Sequence, residues 1–447
     1  MSLQAWNEWL NGYVWGMPMI VLLIGTGILL TVLTRAVQLR LLRRALVEVL
    51  GKLGKGGQGA GSVTPFQAVS TALASTVGVG NIAGVATAIH LGGPGALFWL
   101  WLSGFFGMCT KFCEIVLALH YREPDAGGTM RGGAMFVLRK GLGLPWLGTV
   151  FAVLVPLAAF GIGNMVQANS VADSLRSSFG IEPWVTGVAL VLVTALVILG
   201  GITRIGEVTS LLVPFMAIVY LGGGLVVLIR FAGELPHALA LVFEGAFTGT
   251  AAAGGVAGST VMMALRYGVA RGLFSNEAGL GSAPMVHAAA QTDHPVRQGL
   301  YGIFEVFVDT ILVCTMTGLV ILLTGQWSSG ETGAALAGRA FSVGLPGTWG
   351  SLVVTISLVL FAYSTIIGWS YYGETGITYV LGARAARPYR LVWLVFVFLG
   401  AIGSLRLVWG VADTLNGLMA VPNLVAVLGS IPLVLRLLRE FEGKRHS

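Results

Sequence analysis

The stretch Ser75-Thr76-Val77-Gly78-Val79-Gly80-Asn81 decides the fold. It lies in the middle of an apolar segment near 65–90, where a membrane helix ordinarily runs unbroken. Two glycines at i and i+2 each weaken a helix by about 1 kcal/mol relative to alanine. At membrane depth, unwound backbone persists only when it is buried in protein or lines a cavity. Such a break frees N–H groups on one half-helix and C=O groups on the other. The first attract a carboxylate and the second coordinate a cation. Close helix packing through small residues explains a lone Gly-x-Gly equally well. A second glycine-rich interruption tips the balance: Gly249, Gly254, Gly255 and Gly258, with Ser259 and Thr260, five segments later. Paired breaks at that spacing predict two inverted repeats of five helices around a midplane site.

Composition agrees. Of 447 residues, 55% are hydrophobic and 10% charged, against about 25% charged in soluble domains. A soluble fold of this length cannot cover its surface with so few charges. The 65 glycines show no collagen period and suit closely packed membrane helices. The chain therefore reads as an all-α polytopic membrane protein, which excludes a soluble enzyme, a disordered chain and a disulfide scaffold. About eleven segments reach the roughly 20 apolar residues that a span needs. They lie near 14–34, 65–90, 95–119, 147–178, 184–201, 207–231, 238–264, 299–324, 348–381, 391–410 and 413–436. The expected organisation is one integral membrane domain over 1–447. An extra N-terminal helix occupies 14–34, the first repeat 65–231 and the second 238–436. No run of short alternating segments suggests strands.

The net charge of +7, from 26 basic and 19 acidic residues, reports orientation rather than a nucleic-acid partner. With the N-terminus outside, only Arg176, Arg230, Arg339 and Arg406 fall on the outer side. Lys111 falls within a segment, and the other basic residues collect inside. A multi-pass protein of the cell inner membrane, with a cytoplasmic C-terminus, is expected. Residues 35–60 read as an amphipathic interfacial helix and a flexible stretch. No cleavable signal peptide is evident. Cys109, Cys113 and Cys314 lie in apolar runs and read as packed thiols.

The segments Thr76-Val77-Gly78-Val79-Gly80-Asn81-Ile82-Ala83-Gly84-Val85-Ala86, Gly92-Gly93-Pro94-Gly95-Ala96-Leu97-Phe98-Trp99-Leu100-Trp101, Gln167-Ala168-Asn169-Ser170-Val171 and Arg271-Gly272-Leu273-Phe274-Ser275-Asn276-Glu277-Ala278-Gly279 resemble the alanine/glycine:cation symporters. The resemblance spans essentially the whole chain. It implies sodium- or proton-coupled uptake of alanine or glycine, on the inverted-repeat fold of the bacterial leucine transporter with one extra helix. Two departures stand out. Val79 stands where the family more often has threonine, which bears on substrate fit. Gly132-Gly133-Ala134-Met135-Phe136 replaces a Gly-Gly-Pro-Met-Tyr pattern in an inside loop.

Chemistry and resemblance together assign roles. The amides around Gly78 and Gly80 receive the substrate carboxylate, the Thr76 carbonyl receives its ammonium, and Val79 and Asn81 complete the break. In regular helix geometry Asn164, Gln167, Val171, Ser174 and Leu175 share one face; Gln167, Val171 and Leu175 are expected at the substrate, with Asn169 beside them. Phe361, Ser364, Thr365 and Trp369 share a face of another segment. The resemblance implies a sodium cage from the carbonyls of Ala74, Val77 and Phe361 and the hydroxyls of Ser364 and Thr365, oxygen ligands suited to a hard cation. Trp369 walls the pocket, leaving room for a methyl side chain. Na⁺ is thus the expected coupling ion, with no organic cofactor, and the partners are alanine or glycine and the lipid bilayer; a monomer suffices. Glu305 and Asp309, one turn apart, suggest a shared proton or cation and keep proton coupling open. Lys111 and Glu114 read as a structural pair, and Glu374 and Glu207 as solvated or gate-related. The six histidines form no metalloprotease motif, and no nucleophile elbow or phosphate loop occurs. An enzyme is not expected. A channel fits the asymmetric pocket less well than a carrier.

Overall fold

The computed structural model describes residues 3–51, 55–248, 261–403 and 406–443, and these are almost wholly helical. Extended pairing among them is confined to a two-residue hairpin, Glu123–Pro124 with Met130–Arg131, and one bridge from Val63 to Ala290. Eight described helices are long and apolar enough to cross a membrane, or nine if one bent pair is a single span. Pro183–Ile198 is apolar but shorter. The second glycine-rich interruption, Gly249 to Thr260, lies outside the described residues; the helices on either side are Leu235–Phe247 and Val261–Asn276.

The bent pair, Pro65–Thr76 and Gly80–Gly92, meets at Val77-Gly78-Val79. Thr64 starts it with a reciprocal capping box to Gln67, and Pro65 takes the first helical turn, where its missing N–H is harmless. The helix Pro65–Thr76 stops at Val77, whose backbone is extended. It resumes as a wide turn at Gly80–Gly84 and continues to Gly92, bent by 50°. Similar wide turns interrupt Pro145–Phe179 at Ala159–Met165 and Pro295–Leu323 at Phe307–Cys314. Each inserts backbone and changes the helical phase beyond it, a feature concentrated at functional sites.

Burial is arranged for lipid. Leu211 and Ile218 on Gly201–Arg230 are 78% and 71% exposed, whereas Lys111, Glu305 and Asp309 are fully buried. An apolar exterior around a polar interior is what a solvent of hydrocarbon selects. The three cysteines are free and buried, as expected. Packed around the break are Pro145–Phe179, Val261–Asn276, Pro295–Leu323 and the 33-residue helix Trp349–Leu381.

The structure corrects two boundaries. The segment expected at 413–436 is a span, Val408–Gly429, followed by a separate amphipathic helix, Ile431–Gly443, because Pro432 cannot continue the hydrogen-bond ladder. The segment expected at 391–410 ends at Ile402, where Gly403 turns extended. Arg266 and Arg271, counted with a basic inside loop, sit instead within the helix Val261–Asn276.

Candidate functional site

The broken helix is fastened by Asn81. Its side-chain oxygen accepts from the Gly78 N–H at 2.9 Å, and its amide donates to Asp309 Oδ1 at 2.6 Å. Thr317 donates to the Asn81 carbonyl at 2.7 Å. Asp309 also accepts from Ser275 at 2.9 Å and from Thr310 at 2.8 Å. No lysine, arginine or histidine lies within ion-pair distance of Asp309 among the described residues. Two expectations change here. Asn81 points away from the cavity, toward the Phe307–Cys314 turn. The Gly78 amide is engaged by Asn81 rather than left for a ligand.

Beside the break is a narrow cavity of about 20 Å³, on the scale of one water-sized site. The break supplies Ser75, Thr76, Gly78 and Gly80; facing helices supply Gln167, Thr365 and Trp369. Thus Thr76, Gly78, Gly80, Gln167 and Trp369 are brought together as expected. Gln167 donates to the Ile162 carbonyl at 2.9 Å, while its own oxygen is buried without a partner. Trp369 Nε1 donates to Glu277 Oε1 at 2.9 Å. Glu277 holds a left-handed backbone, φ 55°, and also accepts from Ser282. A non-glycine residue pays a strain of order 1–3 kcal/mol there, so the surroundings fix this carboxylate in place.

A cluster of oxygens adjoins the cavity. Ser364 donates to the Ala74 and Phe361 carbonyls at 3.0 and 2.9 Å. Thr365 does the same at 3.2 and 2.9 Å. Four of the five expected cation ligands therefore converge where Pro65–Thr76 ends against Trp349–Leu381. The fifth, Val77, is the buried extended residue that terminates the half-helix. Residues 361, 364 and 365 lie within unbroken α-helix, so their shared face was predictable.

Other expected contacts fail for a physical reason. Asn164 lies in the wide turn Ala159–Met165, where the regular spacing that joined it to Gln167 is broken; Gln167, Val171 and Leu175 stay in register on the regular helix Val166–Phe179. Asn164 donates to the Trp393 carbonyl at 2.9 Å and Asn169 to the Gly403 carbonyl at 3.0 Å, both bonds between helices. Val171 and Leu175 do not line the cavity. Val79 lines a second cavity, of about 100 Å³, with Arg271, Thr87 and Trp409. Gly80, Gln167 and Phe274 line both cavities, and a Cβ at Gly80 meets the Phe274 ring at 3.3 Å. Phe274 therefore packs against the break at the partition. Sequence reasoning gave no role to Ile162, Phe274, Ser275, Glu277 or Asn416, which also line the smaller cavity. The motif Arg271 to Gly279 signalled three of them. Ile162 has no sequence signal, because the wide turn presents it.

The buried charges pair differently from the expectation. Lys111 meets Glu305 at 3.3 Å, not Glu114, and Glu305 meets His287 at 2.9 Å. Glu114 instead accepts from Asn423 and from the Gly279 N–H. Glu305 thus has a nearby cation, Lys111, one of the two expected arrangements, while Asp309 bonds separately to Asn81, Ser275 and Thr310. Glu207 is half exposed beside Arg204, as expected. Glu374 is buried, receiving Arg131 at 2.9 Å and Arg390 at 2.6 Å. Arg131 also reaches Asp125 at 2.7 Å. This knot ties the hairpin to two helices at one end of the bundle. Burial alone would raise the Asp125 carboxyl, but the Arg131 guanidinium and the N–H groups of Thr129 and Gly127 outweigh it and hold Asp125 below its ordinary range.

The sodium:alanine symporter family matches residues 1–447. The chain is 50% identical over 426 residues to the sodium/alanine symporter AgcS of Methanococcus maripaludis, covering 94% of this chain and 92% of that one. It is 47% identical over 431 residues to an uncharacterized transporter of Haemophilus influenzae, covering 96% and 94%. It is 37% identical over 439 residues to the probable sodium/glutamine symporter GlnT of Bacillus subtilis, covering 98% and 90%. A manganese transporter of Eremococcus coleocola shares the fold with a TM-score of 0.52, at 16% identity, covering 84% of this chain and 78% of that one. An all-α membrane fold, broken at its centre and matched along its whole length, places the chain in the sodium:alanine symporter family of cation-coupled amino-acid transporters.

Proposed function

We propose that the chain is a sodium-coupled symporter that imports alanine or glycine by alternating access. The observation that carries this reading is the convergence of Ser364 and Thr365 on the Ala74 and Phe361 carbonyls. These neutral oxygens, with the Val77 carbonyl, suit a hard monovalent cation. When Na⁺ binds, the two hydroxyls turn their lone pairs inward, and the ion fixes the end of one half-helix against Trp349–Leu381.

In this reading the substrate enters the adjacent cavity when alternating access widens it from the water-sized space seen here. Its ammonium faces the unpartnered Gln167 oxygen and the Thr76 carbonyl. Its carboxylate approaches the backbone at Gly80. Trp369, held by Glu277, walls the side-chain end. The narrowness of the cavity favours a methyl or hydrogen side chain, because large side chains are rejected by clash more sharply than small ones are distinguished. Residues 65–231 and 238–436 act as the two repeats, with 14–34 outside them. The N-terminus lies outside the inner membrane and the basic end faces the cytoplasm. One charge crossing about 100 mV and a tenfold sodium gradient together supply about 3.7 kcal/mol, which sustains several-hundredfold accumulation.

Calorimetric titration of the purified protein with alanine tests the coupling, in sodium chloride and in choline chloride of equal ionic strength. The proposal expects binding at least about tenfold tighter with sodium, since coupling between two ligands is reciprocal. Equal affinities contradict it. One observation favours a second reading, proton coupling: Asp309 is fully buried beside the break, without a basic partner among the described residues. In that case alanine affinity follows pH and ignores sodium.

A further inference from the structure

The basic end of the bundle carries a feature that transport does not use. The span Met17–Leu33 ends in a sharp corner, where Arg35 and Ala36 both hold left-handed backbone. Arg40 consolidates the corner by donating to the Arg35 carbonyl at 2.9 Å and the Thr34 carbonyl at 3.1 Å. Its remaining guanidinium nitrogen pairs with Glu442 at 2.9 Å. That pair docks the amphipathic helix Ile431–Gly443, which buries Val434, Leu437, Leu438 and Phe441 against the bundle. Between the corner and this helix runs a groove of about 290 Å³. Leu33, Leu435 and Leu438 form its apolar walls, and Arg35, Arg40 and Arg439 its basic rim. A second groove, of about 620 Å³, opens on the other side of the same helix, with apolar walls, Leu433 and Tyr121, and a rim where Arg436 pairs with Glu440 at 3.7 Å and Arg439 stands beside them.

The charges are not balanced internally. Arg40 and Glu442 neutralise each other. Neither Arg35 nor Arg439 has a carboxylate within ion-pair distance among the described residues. Arg439 donates through Nε to its own helix at Leu435 and leaves the rest of its guanidinium toward the rim of both grooves. Two exposed guanidiniums without carboxylate partners and an apolar channel thus lie side by side where the first span ends, and an occupant with an anionic head and a hydrocarbon chain matches both. Guanidinium forks match phosphate oxygens, and hydrocarbon fills the leucine-lined part. Basic pockets beside helix ends in membranes hold anionic headgroups.

We infer that the groove between the Arg35 corner and the helix Ile431–Gly443 is a binding site for an anionic phospholipid, its phosphate on Arg35 and Arg439 and an acyl chain along Leu33, Leu435 and Leu438. The site joins the C-terminal helix to the first span through the lipid. It depends neither on the substrate nor on the coupling ion.

The test uses the full-length purified protein in neutral detergent. Native mass spectrometry reads retention of phosphatidylglycerol against phosphatidylcholine with the same chains. Wild type should retain phosphatidylglycerol preferentially. Arg439→Gln alters an exposed side chain and should weaken the preference about fivefold, with Arg35→Gln adding a similar factor. Arg384→Gln, an exposed arginine outside the groove, should leave it unchanged. An unchanged preference in the double variant overturns the assignment. So does an equal loss in Arg384→Gln, which would mark diffuse surface charge. If inorganic phosphate displaces phosphatidylglycerol, the groove is a simple anion site and the lipid assignment fails. Alanine binding in the same variants should match wild type, so failure of the lipid site and failure of the transport reading are told apart.

Discussion

Thr365 Oγ1 lies 3.2 Å from the Ala74 carbonyl and 2.9 Å from the Phe361 carbonyl. One hydroxyl thereby joins the end of a broken helix to the middle of an unbroken one. Replacing it by Thr365→Val keeps the shape and removes the oxygen. We expect the half-saturating sodium concentration for alanine uptake to rise at least about tenfold, about 1.4 kcal/mol, with little loss of thermal stability. Thr365→Ser should restore most of the affinity. Sodium activation curves for the three proteins decide this.

Gly78 faces that hydroxyl so closely that an added Cβ would stand 2.7 Å from Thr365 Oγ1. Real Cβ atoms essentially never approach a neighbour so closely. Gly78→Ala should therefore displace Thr365 and abolish sodium-stimulated uptake, while lowering stability by about 1–3 kcal/mol. A variant with wild-type sodium activation would show that the oxygens adjoining the cavity do not hold the ion.

Gln167 presents an unpartnered buried oxygen to the cavity. Gln167→Leu should raise the KM for alanine by about 10- to 100-fold, because a buried charged ammonium loses an acceptor worth about 1.5–3 kcal/mol. The sodium requirement should remain. Uptake kinetics at saturating sodium separate the two effects.

The hairpin knot predicts a specific acid response. Asp125 is held below its ordinary carboxylate range in the folded protein by Arg131, against the opposing effect of burial. Its contribution to stability is complete above the unfolded carboxylate value and disappears as pH falls through the lower folded value. The difference in melting temperature between wild type and Asp125→Asn should stay constant from neutral pH down to about pH 5 and shrink below about pH 4. A difference that grows on acidification contradicts the assignment.

Much of this was readable from the residues. Gly78 and Gly80 foretold the break, and the structure bends the span there by 50°. Phe361, Ser364 and Thr365 share a face because their helix is regular from Trp349 to Leu381, so spacing translated directly into geometry. Val171 and Leu175 follow Gln167 at four-residue intervals in the regular helix Val166–Phe179, but the cavity extends along that helix only to Gln167. Nothing in Ala159-Phe160-Gly161-Ile162-Gly163 announces an extra residue in the turn; the phase is set by packing, and Gly163 fits because Trp369 fills the space a Cβ would need. Asn81 was placed in the pocket by its neighbours in sequence, but Asp309, 228 residues away, turns it aside. Lys111 likewise chose Glu305 across helices over Glu114 on its own. Spacing fixes faces within a helix; long-range partners fix which face is used.

Radiolabelled alanine uptake into proteoliposomes, at fixed pH, with and without an inward sodium gradient, shows whether sodium drives uptake through this site. Accumulation above the outside concentration is expected only with the gradient, and its loss in Thr365→Val at low sodium. Uptake driven equally well by an acid-outside pH gradient without sodium would contradict sodium coupling and direct attention to Asp309.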